Sequence, residues 1–228
     1  YSASGQTLTF SFSGFQTLTG GILTDTFQVV GDQTVDLNGG AGDDTFSLAH
    51  DATLTGDVAG GAGSDTFSYA AWTSSVTAHL FTLALDHYSG TLSNVENLTG
   101  GSGNDTLIGD DAANILIGNL GNDTLIGNAG SDTLIGSTGN DLLFGGADDD
   151  IYRFENAFGV DVVTELVAEG VDTLDFSLIT DAITFTVDAT SLGIGSSIHL
   201  VTHAGTSIEN LIGSSGADIF TFTDGATL

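Results

Sequence analysis

The sequence predicts an all-β protein in which short strands stack into a solenoid, and three observations carry this prediction. A nine-residue unit runs six times without a gap over residues 100–153, as GGSGNDTLI, GDDAANILI, GNLGNDTLI, GNAGSDTLI, GSTGNDLLF and GGADDDIYR. Degenerate copies of the same unit recur on both sides of this run. Between the copies, apolar and polar residues alternate, as in TFTV at residues 184–187, which is typical of strands.

Each unit combines a glycine-rich turn with a short strand. Glycines at the first, second and fourth places permit positive φ and a close backbone approach. The last three residues predict a strand whose eighth-place side chain points inward while its neighbours point outward. The inward places hold Leu107, Leu116, Leu125, Leu134, Leu143 and Tyr152. In the outer copies this place holds Phe27, Phe46, Phe67 and Phe220, which favours a wider coil there.

The sixth place of the unit is acidic in almost every copy. In the central run it holds Asp105, Asn114, Asp123, Asp132, Asp141 and Asp150. In the outer and looser copies the equivalent residues are Asp25, Asp44, Asp65, Asp161, Asp172 and Asp218. Carboxylates and turn carbonyls together supply the oxygen ligands that Ca²⁺ prefers in sets of about six to eight. We therefore predict calcium sites, completed by the turn residues Gly101, Gly103, Gly121, Gly130 and Gly139.

Unit n is expected to lie against unit n+2, which sorts the central sixth-place residues into two columns. Asp105, Asp123 and Asp141 form one column, and Asn114, Asp132 and Asp150 form the other. Several calcium ions, about eight by the number of stacked turns, would lie between adjacent members. Asn114 follows two alanines and departs from the pattern, so the position between it and Asp132 is the least supported.

A longer repeat divides the chain into segments. The lead-in motifs FQTLTGG, VENLTGG and IENLIGS precede glycine-rich blocks at residues 15–21, 95–101 and 208–214. Their sixth-place residues Gln16, Glu96 and Glu209 are either end ligands or caps of the coil. We expect a solenoid segment with degenerate turns at 1–68, a non-calcium β segment at 69–99, the central run at 100–153, a β segment with looser turns at 154–212 and the start of a next block at 213–228. Both ends of the chain fall within a motif, which predicts an array cut at both ends.

Charge restricts the class of partner. Thirty acidic residues oppose one cation, Arg153, and give a formal net charge of −29. This balance excludes nucleic-acid binding through phosphate neutralisation, and no stretch is long and apolar enough to predict membrane insertion. Charge repulsion penalises a compact chain, so bound cations are expected to be required for folding. Because the chain has no cysteine, neither disulfides nor thiolate metal sites contribute.

The unit resembles the RTX (haemolysin-type) nonapeptide G-G-x-G-x-D-x-U-x, most closely over residues 100–153. This resemblance implies a right-handed parallel β-roll in which two nonapeptides form one turn of the coil. It also implies export by type I secretion and an extracellular or cell-surface location.

The expected function is that of a calcium-binding structural segment of a long secreted bacterial repeat protein, such as an adhesin, a surface layer or a filament. Self-association or continuation in a polymer is expected along outward ladders of Ile108, Ile126 and Phe144 on one face and Ile117 and Ile135 on the other. The alternative is a non-catalytic module of a secreted hydrolase or epimerase. The sequence contains no catalytic constellation, so no enzymatic activity is expected. Carbohydrate binding is a third hypothesis, based on Trp72 and scattered tyrosines.

Overall fold

The computed structural model describes residues 16–164, 170–187, 192–196, 199–204 and 208–222. Every regular element in these ranges is a β-strand and none is a helix, so the predicted all-β class is confirmed. Accordingly, the described part of the chain offers no helix with the length and apolar character of a membrane span. The expected continuation of the array at the two ends concerns residues 1–15 and 223–228, which lie outside the described residues.

The strands are short, between two and six residues each. Up to the start of the central run they are β1 (Thr17–Thr19), β2 (Thr26–Val29), β3 (Gln33–Thr34), β4 (Asp36–Ala41), β5 (Thr45–Leu48), β6 (Leu54–Thr55), β7 (Val58–Ala62), β8 (Thr66–Ser68), β9 (Thr77–His79), β10 (Ala84–Leu85), β11 (Tyr88–Ser89), β12 (Leu92–Ser93) and β13 (Asn97–Thr99). The others are β14 (Thr106–Ile108), β15 (Ile115–Leu120), β16 (Thr124–Ala129), β17 (Thr133–Thr138), β18 (Leu142–Ala147), β19 (Ile151–Arg153), β20 (Val160–Thr164), β21 (Asp172–Asp175), β22 (Thr184–Val187), β23 (Leu192–Ser196), β24 (His199–Ala204), β25 (Ile208–Ile212) and β26 (Ile219–Phe222).

Strands from successive turns lie side by side in four sheets. One sheet has nine strands in the order β2-β5-β8-β13-β15-β17-β19-β21-β25, and a second has ten in the order β10-β9-β14-β16-β18-β20-β24-β23-β22-β26. Two shorter sheets, β1-β4-β7-β12 and β11-β6-β3, belong to the N-terminal part. All pairs in the nine-stranded sheet are parallel, so the chain returns to the same sheet once in each turn of a solenoid.

The length of a turn varies along the coil. In the central run, Leu107 pairs with Leu125 and sixth-place residues repeat every 18 residues, so each turn contains two nonapeptides. Nearer the N-terminus, Phe46 pairs with Phe67 at a spacing of 21 residues. Strands β3, β6 and β11 give these longer turns a third side. The wider coil expected around the outer phenylalanines is therefore present at Phe46 and Phe67, while Phe27 lies 19 residues before Phe46.

The eighth-place side chains form the core of the coil. Leu107, Leu125 and Leu143 are fully buried and follow one another in the ten-stranded sheet. In the nine-stranded sheet the inward column consists of Phe27, Phe46, Phe67, Leu98, Leu116, Leu134, Tyr152, Leu174 and Leu211. The rings of Phe27 and Phe46 stack with centroids 5.1 Å apart. Burying each such side chain contributes about 1.5–3 kcal/mol, so this column is a main source of stability.

The hydrophobic core is one cluster that extends from Val29 to Ile183. It continues through the segment boundaries expected after residues 68, 99 and 153. The division of the chain into five segments therefore stays a prediction about folding units.

Short antiparallel pairs interrupt the parallel pattern. Strand β9 pairs with β10 antiparallel, and β23 pairs antiparallel with both β22 and β24. In the first case the connection is the tight turn Leu80–Leu83, with Leu83 at a φ of 56°. A connection this short joins antiparallel strands only, because a parallel pair needs a full crossover.

Outward side chains in the central run differ in exposure from the sequence expectation. Ile108, Ile126 and Phe144 are half-buried. Ile135 is only 9% exposed, although it lies outside the hydrophobic core cluster, because neighbours such as Ile117 lie beside it in the sheet. The expected exposure is therefore wrong at Ile135. More exposed apolar side chains occur at the seventh place, where Leu142 is 42% exposed.

Candidate metal centres in the glycine-rich turns

The sixth-place side chains lie in two columns along the coil. In the central run, the Oδ1 atom of each aspartate accepts a hydrogen bond from a backbone N–H in the preceding turn, at 2.7 Å from Asp105 N to Asp123 and 2.8 Å from Asp123 N to Asp141. The short column contains Asp105, Asp123, Asp141 and Asp161. The long column contains Asp25, Asp44, Asp65, Glu96, Asn114, Asp132, Asp150, Asp172 and Glu209. The structure therefore brings together the residues that the sequence assigned to two columns.

The second carboxylate oxygen is buried in many of these turns. Five Oδ2 atoms accept no hydrogen bond from the described residues: those of Asp44, Asp65, Asp123, Asp132 and Asp141. Their side chains are buried to 1% exposure or less. At Asp25 and Asp105, by contrast, Oδ2 accepts the N–H of Gly21 and Gly101, both at 2.6 Å. A buried carboxylate oxygen without a donor is costly unless a cation approaches it.

First-place glycines leave space beside these oxygens. A Cβ atom on Gly118 would clash with Asp123 Oδ2 and would lie 2.8 Å from the carbonyl oxygen of Gly136 in the next turn. The same arrangement recurs at Gly100, between Asp105 Oδ2 and the carbonyl oxygen of Gly118. A carboxylate oxygen and a carbonyl oxygen thus border a space that only glycine keeps open.

The other predicted glycines shape the turns around this space. Gly121, Gly130 and Gly139 have φ values of 122°, 98° and 153°, a region that favours glycine over residues with a Cβ. Gly101 and Gly103 lie against the backbone of Trp72 and Ser74 in the preceding turn. All five glycines therefore belong to the turns that carry the two columns.

The donor set of these turns fits Ca²⁺. This ion takes about six to eight hard oxygen ligands, and it mixes carboxylates with backbone carbonyls. The described residues contain no cluster of three or more His, Cys, Asp or Glu side chains that could hold a metal by itself. An ion between two turns would therefore need backbone carbonyl oxygens in addition to the two neighbouring carboxylates of a column.

Comparison with known families identifies these turns. The family model described as RTX calcium-binding nonapeptide repeat (4 copies) matches residues 36–48, 93–125 and 126–156. The chain carries RTX calcium-binding nonapeptide repeats. Among solved structures, it is similar to the extracellular lipase LipA from Serratia marcescens, with 19% identity and a TM-score of 0.32, over 87% of this chain and 39% of that chain. The chain thus spans well under half of the lipase. No curated protein matches the chain.

Burial opposes ionisation of the carboxylates in these turns. Burial raises the pKa of Asp123 and Asp132 to about 7 and that of Asp141 to about 6. Burial also raises the pKa of Asp161 to about 8, and the neighbouring Asp141 carboxylate adds to this effect. Backbone N–H donors partly offset the shift at each site. A divalent cation between the turns would remove the penalty, because it supplies the missing positive charge.

The lead-in glutamates take the place of aspartates in the long column. Glu96 Oε2 accepts the backbone N–H of Asp65 at 2.9 Å, and Glu209 Oε2 accepts that of Asp172 at 2.8 Å. Gln16 contacts the next turn through its backbone oxygen, which accepts the N–H of Asp36 at 2.9 Å. The two glutamates therefore continue the hydrogen-bond ladder, and their role as calcium ligands stays a prediction.

Asp218 lies apart from the two columns. Its Oδ1 accepts hydrogen bonds from the backbone N–H of Ile183 at 2.9 Å and from Ser214 Oγ at 2.6 Å. Burial opposes ionisation here, but these hydrogen bonds prevail and lower the pKa of Asp218. Among the described residues, Asp218 stacks on Ile183 rather than on another aspartate.

A second ladder, absent from the sequence prediction, runs along the fifth place. The Oδ1 atoms of Asn104, Asn122 and Asn140 accept backbone N–H groups of Asn122, Asn140 and Val160 in the following turn, each at 2.9 Å. Its direction is opposite to that of the aspartate ladder, in which the later turn supplies the acceptor. The sequence feature that could have predicted this ladder is the recurrence of Asn at the fifth place every 18 residues.

Trp72 does not present a surface for sugar stacking. It is 2% exposed, and its indole N–H donates to the carbonyl oxygen of Leu48 at 3.1 Å. Tyr69 is fully buried beside it, with ring centroids 5.9 Å apart. The carbohydrate hypothesis is therefore wrong in its use of Trp72, which belongs to the core of the wider coil.

Proposed function

We propose that this chain is a calcium-braced structural segment of a secreted repeat protein, which folds and becomes rigid when it binds Ca²⁺ outside the cell. The observation that carries the proposal is the set of buried Oδ2 atoms without a donor, exemplified by Asp123 and Asp141. Each lies where a Cβ-free glycine keeps a space open. An acidic chain with such sites gains stability from each divalent ion, since the ion offsets repulsion and joins neighbouring turns.

The proposed ligands are the carboxylates of the two columns together with carbonyl oxygens of the turns. The best supported are Asp44, Asp65, Asp105, Asp123, Asp132, Asp141, Asp150, Asp161 and Asp172, because each stacks on another sixth-place residue. Asp25 is the first described member of the long column, and its Oδ2 accepts the N–H of Gly21. Asp218 is the least supported, since it stacks on Ile183.

Magnitudes support a folding dependence. Extracellular calcium modules bind with a Kd of about 10⁻⁴–10⁻³ M, and an ion present at about a hundred times its Kd adds about 2.7 kcal/mol per independent site. Four such sites would add about 10 kcal/mol, which is comparable to the stability of a typical domain. Cytosolic calcium is far lower, so the chain would stay unfolded before export.

Circular dichroism in calcium and in EGTA tests the proposal. We expect a β spectrum with a cooperative thermal transition in calcium, and an unfolded spectrum in EGTA at neutral pH. Magnesium at the same concentration is the control, because it demands stricter octahedral geometry and holds its water. A spectrum and a melting temperature that EGTA leaves unchanged would contradict calcium-dependent folding.

The parent protein is proposed to be an adhesin, a surface layer or an extracellular filament exported by type I secretion. The support is that stacked turns with sixth-place acids occur both before and after the central run, at Asp44 and Asp65 and at Asp161 and Asp172. The alternative remains a non-catalytic RTX module attached to a secreted hydrolase or epimerase. The full open reading frame distinguishes them, since a catalytic domain in it would favour the alternative.

Lateral self-association is the proposed use of the outer face of the ten-stranded sheet. Ile108, Ile126 and Phe144 lie in register along this face, and Leu142 adds a more exposed neighbour. Rows of apolar side chains of this kind can mark an interface. Sedimentation in calcium would compare the wild type with Ile108→Thr/Ile126→Thr. Loss of association supports the interface, and unchanged association removes this face from consideration.

A further inference from the structure

Asn114 occupies a place in the long column that neighbouring turns give to aspartate. Its side chain is 2% exposed, as buried as those of Asp123 and Asp132. Its bonding differs from theirs, because its amide nitrogen donates hydrogen bonds that a carboxylate cannot make. Oδ1 accepts the N–H of Asp110 at 2.8 Å, while Nδ2 donates to the carbonyl oxygen of Glu96 at 2.7 Å and to Asp110 Oδ1 at 3.2 Å.

The orientation of the Glu96 backbone explains why an amide is needed here. In the regular turns, the N–H of the sixth-place residue points to the next turn, as Asp105 N does toward Asp123 Oδ1. The N–H of Glu96 instead points back to the carbonyl oxygen of Asp65, at 3.1 Å. Its own carbonyl oxygen then faces the next turn. An ionised carboxylate can only accept hydrogen bonds, whereas the amide of Asn114 can donate one.

Asn97 replaces a second backbone hydrogen bond between these two turns. In regular turns the residue after the sixth place donates its N–H to a backbone carbonyl, as Thr124 N does to Asp105 O at 2.9 Å. The equivalent N–H of Ile115 donates to Asn97 Oδ1 at 2.8 Å, which leaves the Glu96 carbonyl oxygen for Asn114. Asn97 is itself fixed to the preceding turn, since its Nδ2 donates to Ser64 Oγ at 2.9 Å and Asp65 O at 3.0 Å.

We infer that Glu96, Asn97 and Asn114 form a calcium-independent joint that seats the central RTX block on the turn before it. The buried amides satisfy each other's backbone partners, and Asn114 brings no carboxylate into the column. The long column is thereby divided into an ion-binding set before Glu96 and another that begins at Asp132, while the short column begins at Asp105. The joint itself rests on the hydrogen bonds alone, whereas the division of the column into two ion-binding sets rests on the proposed calcium binding.

Counting bound ions tests the division of the column. Native mass spectrometry at saturating calcium would compare the wild type, Asn114→Ala and the matched variant Asp132→Asn in the next turn of the same column. We expect Asn114→Ala to keep the wild-type number of ions and Asp132→Asn to lose at least one. A lost ion in Asn114→Ala would overturn the inference. A wild type that binds no calcium would instead contradict the proposed function.

A double-mutant cycle tests the joint itself. Asn97→Ala and Asn114→Ala are each expected to lower the melting temperature in calcium by about 2–12 °C, because each leaves a buried backbone group without its partner. The double variant should lower the melting temperature by less than the sum of the two single shifts, since the two amides replace one pair of backbone hydrogen bonds together. Additive losses would show that the amides act independently and would overturn the joint. Should the alanine variants fail to fold, Asn114→Asp gives the same decision: a lower melting temperature supports the joint, and an extra bound ion with unchanged melting overturns it.

Discussion

The two oxygens of a sixth-place aspartate such as Asp123 differ in their contacts. In Asp123, Oδ1 accepts the N–H of Asp105 and so holds one turn on the next, whereas Oδ2 is buried without a donor. The first oxygen fixes the second in place, because the carboxylate is planar and rigid. A carboxylate held this way needs little reorganisation to bind a cation, which favours affinity.

Asp123→Asn separates these two contributions. The amide oxygen of the variant can still accept the N–H of Asp105, but the metal-facing oxygen is replaced by an amide nitrogen and the negative charge is lost. We therefore expect at least one ion to be lost. The melting temperature in saturating calcium should fall by about 5–10 °C, from about 2.7 kcal/mol for one site. Calorimetric titration and thermal melts measure both quantities. Asp111→Asn removes the same charge from an exposed position and should change neither.

Gly118→Ala tests the space beside the same oxygen. The added methyl group would clash with Asp123 Oδ2, so we expect weaker calcium binding together with a lower melting temperature in calcium. Gly31→Ala is the control, since its Cβ would meet no atom within 4 Å and only its φ of 65° is strained. If both variants bound calcium with wild-type affinity, the space beside Gly118 would have no part in the site.

At the scale of strands and turns, the nonapeptide period determines which side chain is buried. Leu125 repeats at the place of Leu107 one turn earlier and Leu143 one turn later, and all three are fully buried. The 18-residue turns place leucines in this column, whereas the stacked phenylalanine rings of Phe27 and Phe46 lie in the outer, longer turns.

Leu125→Phe should strain the narrow coil. Overpacking a well-packed core costs about 1–3 kcal/mol, which corresponds to a fall in melting temperature of about 2–10 °C for a chain of this size. Thr124→Val changes the adjacent outward residue and should stay within about 0.5 kcal/mol of the wild type. Differential scanning calorimetry in calcium measures both. A phenylalanine tolerated at this position would show that the 18-residue turns have room for a larger core side chain.

The regular strands and turns could be predicted from the sequence, because the nine-residue unit repeats without a gap over residues 100–153. The two columns, the inward Leu125 and the wider coil at Phe46 all follow from period and residue size. The antiparallel hairpin at Leu80–Leu83 could not, since the residues between Ser68 and Glu96 lack the motif that sets the register. Neither could the exchange at Asn97 and Asn114, which depends on the direction of one carbonyl group, a property that no residue pattern encodes.

At the scale of the whole molecule, protons and calcium compete for the same carboxylates. The pKa values of Asp123, Asp132 and Asp141 are raised by burial to about 7, 7 and 6, above the value of 3.8 that applies when the chain is unfolded. Between these limits the folded chain binds more protons than the unfolded chain. Without calcium, its stability therefore falls as the pH rises from about 4 to about 7.

We expect the calcium-free chain to regain β structure at acidic pH and lose it as the pH approaches neutrality. In calcium the trend is opposite: ions displace protons, so the calcium concentration at the folding midpoint should fall as the pH rises. Circular dichroism over pH 4–8, in EGTA and at fixed calcium levels, measures both. Calcium-free stability that rises with pH would contradict the burial of these carboxylates as the cause.

The two side-chain ladders give the coil a direction. On the aspartate side, a turn presents a backbone N–H that donates to the carboxylate of the following turn. On the asparagine side, it presents an amide oxygen that accepts the backbone N–H of the following turn. The two surfaces of such a turn therefore carry different hydrogen-bonding groups along each ladder. A turn inserted in reverse would set donor against donor, so these repeats can be lengthened or shortened by whole turns but cannot be inverted.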